Sequence, residues 1–209
     1  MEWSVISDDL LVGGAPHTTD DIGRLRAEAR VTAVLSLQHD DDLHQNRIDY
    51  PALVRYGQTL GLTLTRCPLR DHDPADQQRG LLGAVRALYA LRQQGDRVYV
   101  HCTLGVSRAP RVVLAYLTWI EGLSLEAALR VLQRARPRAF PCGPAYFAVH
   151  DALVAQHADR IRQRLREHGE WSPGGSDDDP PTDSVAWRQA VLAVVREVLT
   201  APEDPSPAG

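Results

Sequence analysis

"VYVHCTLGVSRAP", residues Val98 to Pro110, decides the architecture of this chain. Val98 to Val100 are strand formers without a polar alternation, which reads as a strand buried on both faces. The run stops at Cys102, turns through Gly105 and opens at Arg108 into "APRVVLAYLTWIEG" (109–122), whose apolar residues recur at helical spacing. A buried strand, a glycine-containing turn and a helix are the repeating unit of a parallel α/β layer. Outward from it, "LLVGG" (10–14), "VTAVLSL" (31–37) and "LTLTRCPL" (62–69) are further short β-rich runs. "TTDDIGRLRAEAR" (18–30) carries helix-start residues, and "QQRGLLGAVRALYALRQQG" (77–95) reads as a helix closed by Gly95. "SLEAALRVLQRARP" (124–137) and "CGPAYFAVHDALVAQ" (142–156) are amphipathic, so helices dominate the second half. The fold expected is α/β, a central mostly parallel sheet flanked by helices.

The chain has 209 residues, 44% of them hydrophobic, enough for one sizeable core. Its net charge is −4, all 23 basic residues are arginine and they form no basic block, so nucleic acid is not expected as a partner. No apolar run approaches the ~20 residues of a membrane span, and no charged-then-apolar leader pattern is read. The three cysteines, Cys67, Cys102 and Cys142, fit a reducing compartment better than a disulfide framework, which points to the cytoplasm. "GEWSPGGSDDDPPTDS" (169–184) is small, acidic and proline-rich, a linker between a catalytic domain over 1–168 and a helix over 185–200. That helix is short enough to need docking on the catalytic domain, and 201–209 is expected to be a disordered tail.

The loop itself carries chemistry. Between a strand and a helix N-terminus, successive backbone N–H groups of Thr103, Leu104, Gly105, Val106 and Ser107 can form an anion nest, phosphate above all. Arg108 adds a planar fork for two phosphate oxygens. A thiol beneath such a field is favoured as thiolate: a helix terminus supplies up to ~2 kcal/mol and each charged hydrogen bond ~1.5–3 kcal/mol. Cys102 is therefore a candidate nucleophile rather than a core residue. Sulfur attack on phosphorus expels an alkoxide or phenoxide that needs a proton, and "RDHDPADQ" (70–77) offers Asp71, Asp73 and Asp76. Adjacent parallel strands would bring that loop and the cysteine loop to one sheet edge. No metal or cofactor is required. From this chain's own residue frequencies, chance yields H-C-x-x-G-x-x-R in roughly one such sequence per thousand, which favours function over packing.

Through His101, Cys102, Gly105 and Arg108 the chain resembles the cysteine-dependent dual-specificity phosphatases of the protein tyrosine phosphatase superfamily. "RAP" (108–110), "LSLQHDDDL" (35–43), "RDHDP" (70–74), "RPRAFPCGP" (136–144) and the final helix with Trp187 look closest to the plant starch-excess and laforin-type phosphoglucan phosphatases. The resemblance implies Cys102 as nucleophile, Arg108 as phosphate clamp and Asp71 as general acid, with Asp73 second. It implies that His101 orients the loop and helps to hold the thiolate. The plant enzymes carry sugar-stacking aromatics where this chain has Gln45, Asn46 and His72, and Ser107 is a residue that protein-directed members often carry. The expected activity is thus a phosphomonoester hydrolase with a phosphocysteine intermediate acting on a phosphorylated carbohydrate. A phosphoprotein (Tyr and Ser/Thr) substrate is the alternative, and an inactive phosphate-binding module the minor one. Trp119 is read as core, Cys67 and Cys142 as core or loop thiols, and Arg130, Arg134, Arg136 and Arg138 as a solvated face.

Overall fold

The computed structural model describes residues 1–141, 143–169, 182 and 184–201. It divides into two compact units, Met1–Val149 and His150–Gly209. The first holds a five-stranded sheet of β1 (Trp3–Ser7), β2 (Leu10–Gly13), β3 (Ala33–Ser36), β4 (Thr63–Arg66) and β5 (Val98–His101), in the order β1-β2-β5-β3-β4. β1 runs antiparallel to β2 at the edge, and every other pairing is parallel. The mostly parallel sheet read from the sequence is therefore present.

Period-two alternation sends the sheet's side chains to two cores. Leu11, Val34 and Tyr99 share one register row and pack with Ile22 and Leu25 of α1 (Thr19–Ala27) and Leu53 of α3 (Tyr50–Thr59). Their strand neighbours Leu10, Val12, Leu35, Val98 and Val100 are fully buried on the opposite face, where α4 (Pro74–Gln93) and α5 (Arg108–Trp119) lie against the sheet. All of α5 is buried, because α4 and α6 (Leu125–Ala135) flank it. Trp119 stacks on Tyr146 at 5.3 Å between centroids, a core position as expected. The helix signal of Thr19 and Asp20 lies just inside α1, whose N-cap is Thr18 in a capping box with Asp21; α4 ends one residue before Gln94 and Gly95, which has φ +82°.

α2 (Asp40–Gln45) and α7 (Pro144–Gln156) complete the order up to the division, which α7 crosses. In the second unit α8 (Ala158–Glu167) packs against α9 (Val185–Thr200), with Arg160 and Arg164 both paired to Glu197. The expected linker lies almost wholly outside the described residues, as do Cys142 and all but the first residue of the expected tail.

One expectation about placement is corrected. β4 and β5 are not adjacent, since β3 lies between them and pairs with both. All three strands run parallel, so the loops after β4 and β5 still emerge at the same carboxyl edge. The segment that follows β3 emerges between them.

Candidate active site

The loop after β5 is held by its carbonyls. The carbonyl of His101 accepts from the Leu37 N–H at 2.8 Å, that of Thr103 from the Ala15 N–H at 3.0 Å and that of Val106 from the Phe140 N–H at 2.7 Å. The Cys102 carbonyl faces His101 Nδ1 at 3.3 Å. Arg136 donates from Nε to the Gly105 carbonyl (2.6 Å) and from Nη2 to the Leu104 carbonyl (2.9 Å). A trans peptide points its N–H opposite to its carbonyl. A loop whose carbonyls are pinned from outside therefore turns its N–H groups inward, the arrangement that an anion nest needs. Gly105 makes the turn possible: φ is +65°, and a Cβ would stand 2.3 Å from the Gly13 backbone.

Arg136 was read as part of a solvated face. Arg130, Arg134 and Arg138 are exposed, but Arg136 is buried at the end of α6 and spends its guanidinium on the loop. Helical spacing cannot signal this, because Arg136 sits at the helix's C-cap, where a non-helical backbone takes it off the helical face.

Cys102 is 3% exposed at the base of the loop. His101 beneath it is fully buried, and desolvation pushes its imidazole down to about 4, the bond with the Cys102 carbonyl only partly opposing this. It is neutral at neutral pH, donates from Nδ1 to that carbonyl, and shapes the loop without adding positive charge.

Arg108 is 1% exposed and densely bonded. Its Nη1 donates to Asp42 Oδ2 (2.6 Å) and the Leu69 carbonyl (2.8 Å). Its Nη2 lies 3.1 Å from Asp42 Oδ1, 3.0 Å from Asp71 Oδ2 and 3.1 Å from Thr103 Oγ1. Asp42 thus grips the guanidinium with both oxygens and also accepts from Thr103 Oγ1 at 2.9 Å and the His39 N–H at 2.8 Å. Burial would raise the Asp42 carboxyl, but the bonds from Arg108, His39 and Thr103 outweigh it and hold it below the usual carboxylate range. Asp42 was not singled out from the sequence. It belongs to "HDDD", the start of α2, where three aspartates each pair an arginine: Asp40 with Arg66, Asp41 with Arg70 at 2.7 Å, and Asp42 with Arg108.

The three aspartates of the loop after β4 separate cleanly. Asp71 reaches Arg108 and is partly exposed, as a group that meets substrate must be. Asp73 is the N-cap of α4, accepting from the Asp76 N–H at 2.9 Å, and Asp76 accepts from the Arg70 N–H at 2.7 Å. Of the expected rim positions, Asn46 turns back to the Asp42 carbonyl at 2.7 Å, and His72 is exposed at φ +55°. The exposed apolar groups of the loop region are instead Leu104, 69% exposed, and Phe140, 71% exposed. Among the described residues no His/Cys/Asp/Glu cluster could hold a metal ion. Cys67 is a free, partly buried thiol whose ionisation burial pushes up.

A parallel sheet whose carboxyl edge carries a buried cysteine, an N–H nest and an arginine fork defines a cysteine-dependent phosphatase of the protein tyrosine phosphatase fold. Residues 21–146 match the family described as the dual specificity phosphatase catalytic domain, and the chain belongs to that family. It is 34% identical over 156 residues to the amyloplastic phosphoglucan phosphatase DSP4 of Castanea sativa, covering 74% of this chain and 40% of that one. It is 32% identical over 130 residues to dual specificity protein phosphatase 12 of Mus musculus, covering 62% of this chain and 35% of that one. The structure of human DUSP28 superposes with a TM-score of 0.54 at 28% identity, over 73% of this chain and 99% of that one. The chain spans less than half the length of the first curated relatives it matches. Relatives with glucan-directed names and relatives with protein-directed names both occur, so the glucan branch is not singled out. No helix among the described residues is long and apolar enough to cross a membrane.

Proposed function

We propose that this phosphatase hydrolyses phosphoproteins, on tyrosine and on serine or threonine, through a phosphocysteine on Cys102. The observation that carries the chemistry is Arg108, held by Asp42 beside the N–H nest and touching Asp71. The phosphoryl group sits in the nest with two oxygens on Arg108. Cys102 Sγ forms the S–P bond as the P–O bond to the leaving group breaks, and the leaving oxygen takes its proton from Asp71. Water then attacks phosphorus, Asp71 takes the water's proton, and the S–P bond breaks to return the thiolate.

The protein substrate is supported by the positions where the plant enzymes stack sugars. Gln45 and Asn46 carry no ring, His72 carries only an imidazole, and Asn46 is turned back into its own helix. Ser107 and the likeness to human DUSP28 and to dual specificity protein phosphatase 12 lean the same way. A phosphoglucan substrate is the second reading, favoured by exposed Phe140, whose N–H bonds the loop at Val106, and by the Castanea sativa relative. The free thiols of Cys67 and Cys102 support a cytoplasmic setting.

The test compares kcat/KM on phosphotyrosyl and phosphothreonyl peptides with phosphate release from phosphorylated amylopectin, using 4-nitrophenyl phosphate as the activity control. The protein reading expects peptides to be preferred by tenfold or more. Preference for amylopectin, lost in Phe140→Ala, would establish the second reading instead.

A further inference from the structure

Arg111 lies one turn into α5, is 8% exposed, and joins three segments that converge on the site. Its Nη2 donates to the hydroxyl of Ser107, the N-cap of α5, at 3.1 Å, and Ser107 makes no side-chain cap bond. Its Nε donates to the Pro141 carbonyl at 3.0 Å. Its Nη1 donates to Gln77 Oε1. Gln77 is 5% exposed in the first turns of α4, and its Nε2 donates at 2.7 Å to the carbonyl of Arg70, the residue before Asp71.

We infer that Arg111 and Gln77 are positioning residues that tie the general-acid loop to the phosphate loop and so fix where Asp71 stands. The relay is buried, and each link has one donor and one acceptor of fixed sense. Gln77 spends its oxygen on Arg111 and its nitrogen on the acid loop, so the amide cannot flip without breaking both bonds. The rest of the acid loop lies at the surface, with Arg70 held by Asp41 and Asp76 and the Asp71 carboxylate by Arg108. The helix cap at Asp73 fixes the following helix, and the Gln77 bond fixes the peptide that precedes the acid. A proton donor displaced by about an ångström loses much of its contribution, which is ~10²–10⁴-fold for general acids.

This inference rests on the assignment of Asp71 as general acid, and the experiment separates the two. The rates of Arg111→Met and Gln77→Glu on a series of aryl phosphates, from 4-nitrophenyl to unsubstituted phenyl, give the dependence on leaving-group basicity. Glu at 77 still accepts from Arg111 but cannot donate to the Arg70 carbonyl, so it cuts only the link to the acid loop and leaves the buried arginine paired. Both variants should lose about tenfold more on phenyl phosphate than on 4-nitrophenyl phosphate. In an Asp71→Asn background that extra loss should vanish. If Arg111→Met does not fold, judged by circular dichroism, Gln77→Glu decides alone. Equal losses across the series in Gln77→Glu, while Asp71→Asn shows the steep dependence, would overturn the relay. A flat series in Asp71→Asn itself would overturn the acid assignment instead.

Discussion

Asp42 sets what Arg108 can do. A guanidinium bonded on one edge by both carboxylate oxygens is fixed in plane. Removing one partner of a buried pair leaves the other charge uncompensated, which costs about 3–5 kcal/mol. Asp42→Asn should therefore lower kcat/KM on 4-nitrophenyl phosphate by about 10²-fold or more, with weaker inhibition by inorganic phosphate. Retained phosphate affinity in that variant would show that Asp42 does not orient the clamp. Cys102→Ser should abolish turnover yet keep phosphate binding, because the nest and Arg108 do not need sulfur, and isothermal titration with phosphate checks both halves. Cys102, Arg108 and Asp71 were legible because the loop is local in sequence and its spacing is chemical. Asp42 was not, because its partner lies 66 positions away and nothing in "HDDD" says which of three carboxylates turns inward.

Elements decide why the site comes together. The three strands carrying its loops stand in the order β5-β3-β4, so the segment after β3 is the bridge between nucleophile and acid. α2 was not read from the sequence, since six residues with a single leucine, Leu43, show no helical period. α3 was missed because Pro51 and Gly57 look like breakers; Pro51 sits in the first turn, where its missing N–H costs nothing, and Gly57 gives room to the Leu64 side chain. The strand–helix alternation around β5 was legible because burial on both faces leaves continuous apolar runs. At this scale Gly105 is the hinge of the phosphate loop. Gly105→Ala would put a methyl into the Gly13 backbone at a positive φ, so the loop must open. The expected outcome is loss of phosphate binding with a destabilisation of about 1–3 kcal/mol, read by thermal melting with and without phosphate. A variant that still binds phosphate normally would show that the β2–loop contact is dispensable.

The molecule as a whole hides a neutral histidine under its active site, and that choice has a cost in acid. His101 is held at about 4 by desolvation against an ordinary value of 6.5, and burial also pushes His150 down. A group with a depressed folded value binds its proton more weakly folded than unfolded. For a histidine the full stability is then present above about 6.5 and is lost as pH falls toward 4, because only the unfolded chain gains the proton. The carboxylates Asp9, Asp21, Asp42 and Asp76 are also lowered, but from a starting value of 3.8, and Glu28 from 4.5, so their contribution is lost progressively below about pH 5. Between pH 6.5 and 5 the loss belongs to buried imidazole, roughly 2 kcal/mol for His101 by the end of the interval. For a chain of this size each kcal/mol moves the midpoint by about 2–4 °C, so melting should fall by about 4–8 °C across that range. His101→Asn, whose amide can still donate to the Cys102 carbonyl, should melt lower at pH 7.5 but with a distinctly flatter dependence on pH. A wild-type midpoint unchanged from pH 7 to 4.5 would mean that His101 is reached by protons in the folded state, and the neutral ring beneath the cysteine would have to be abandoned.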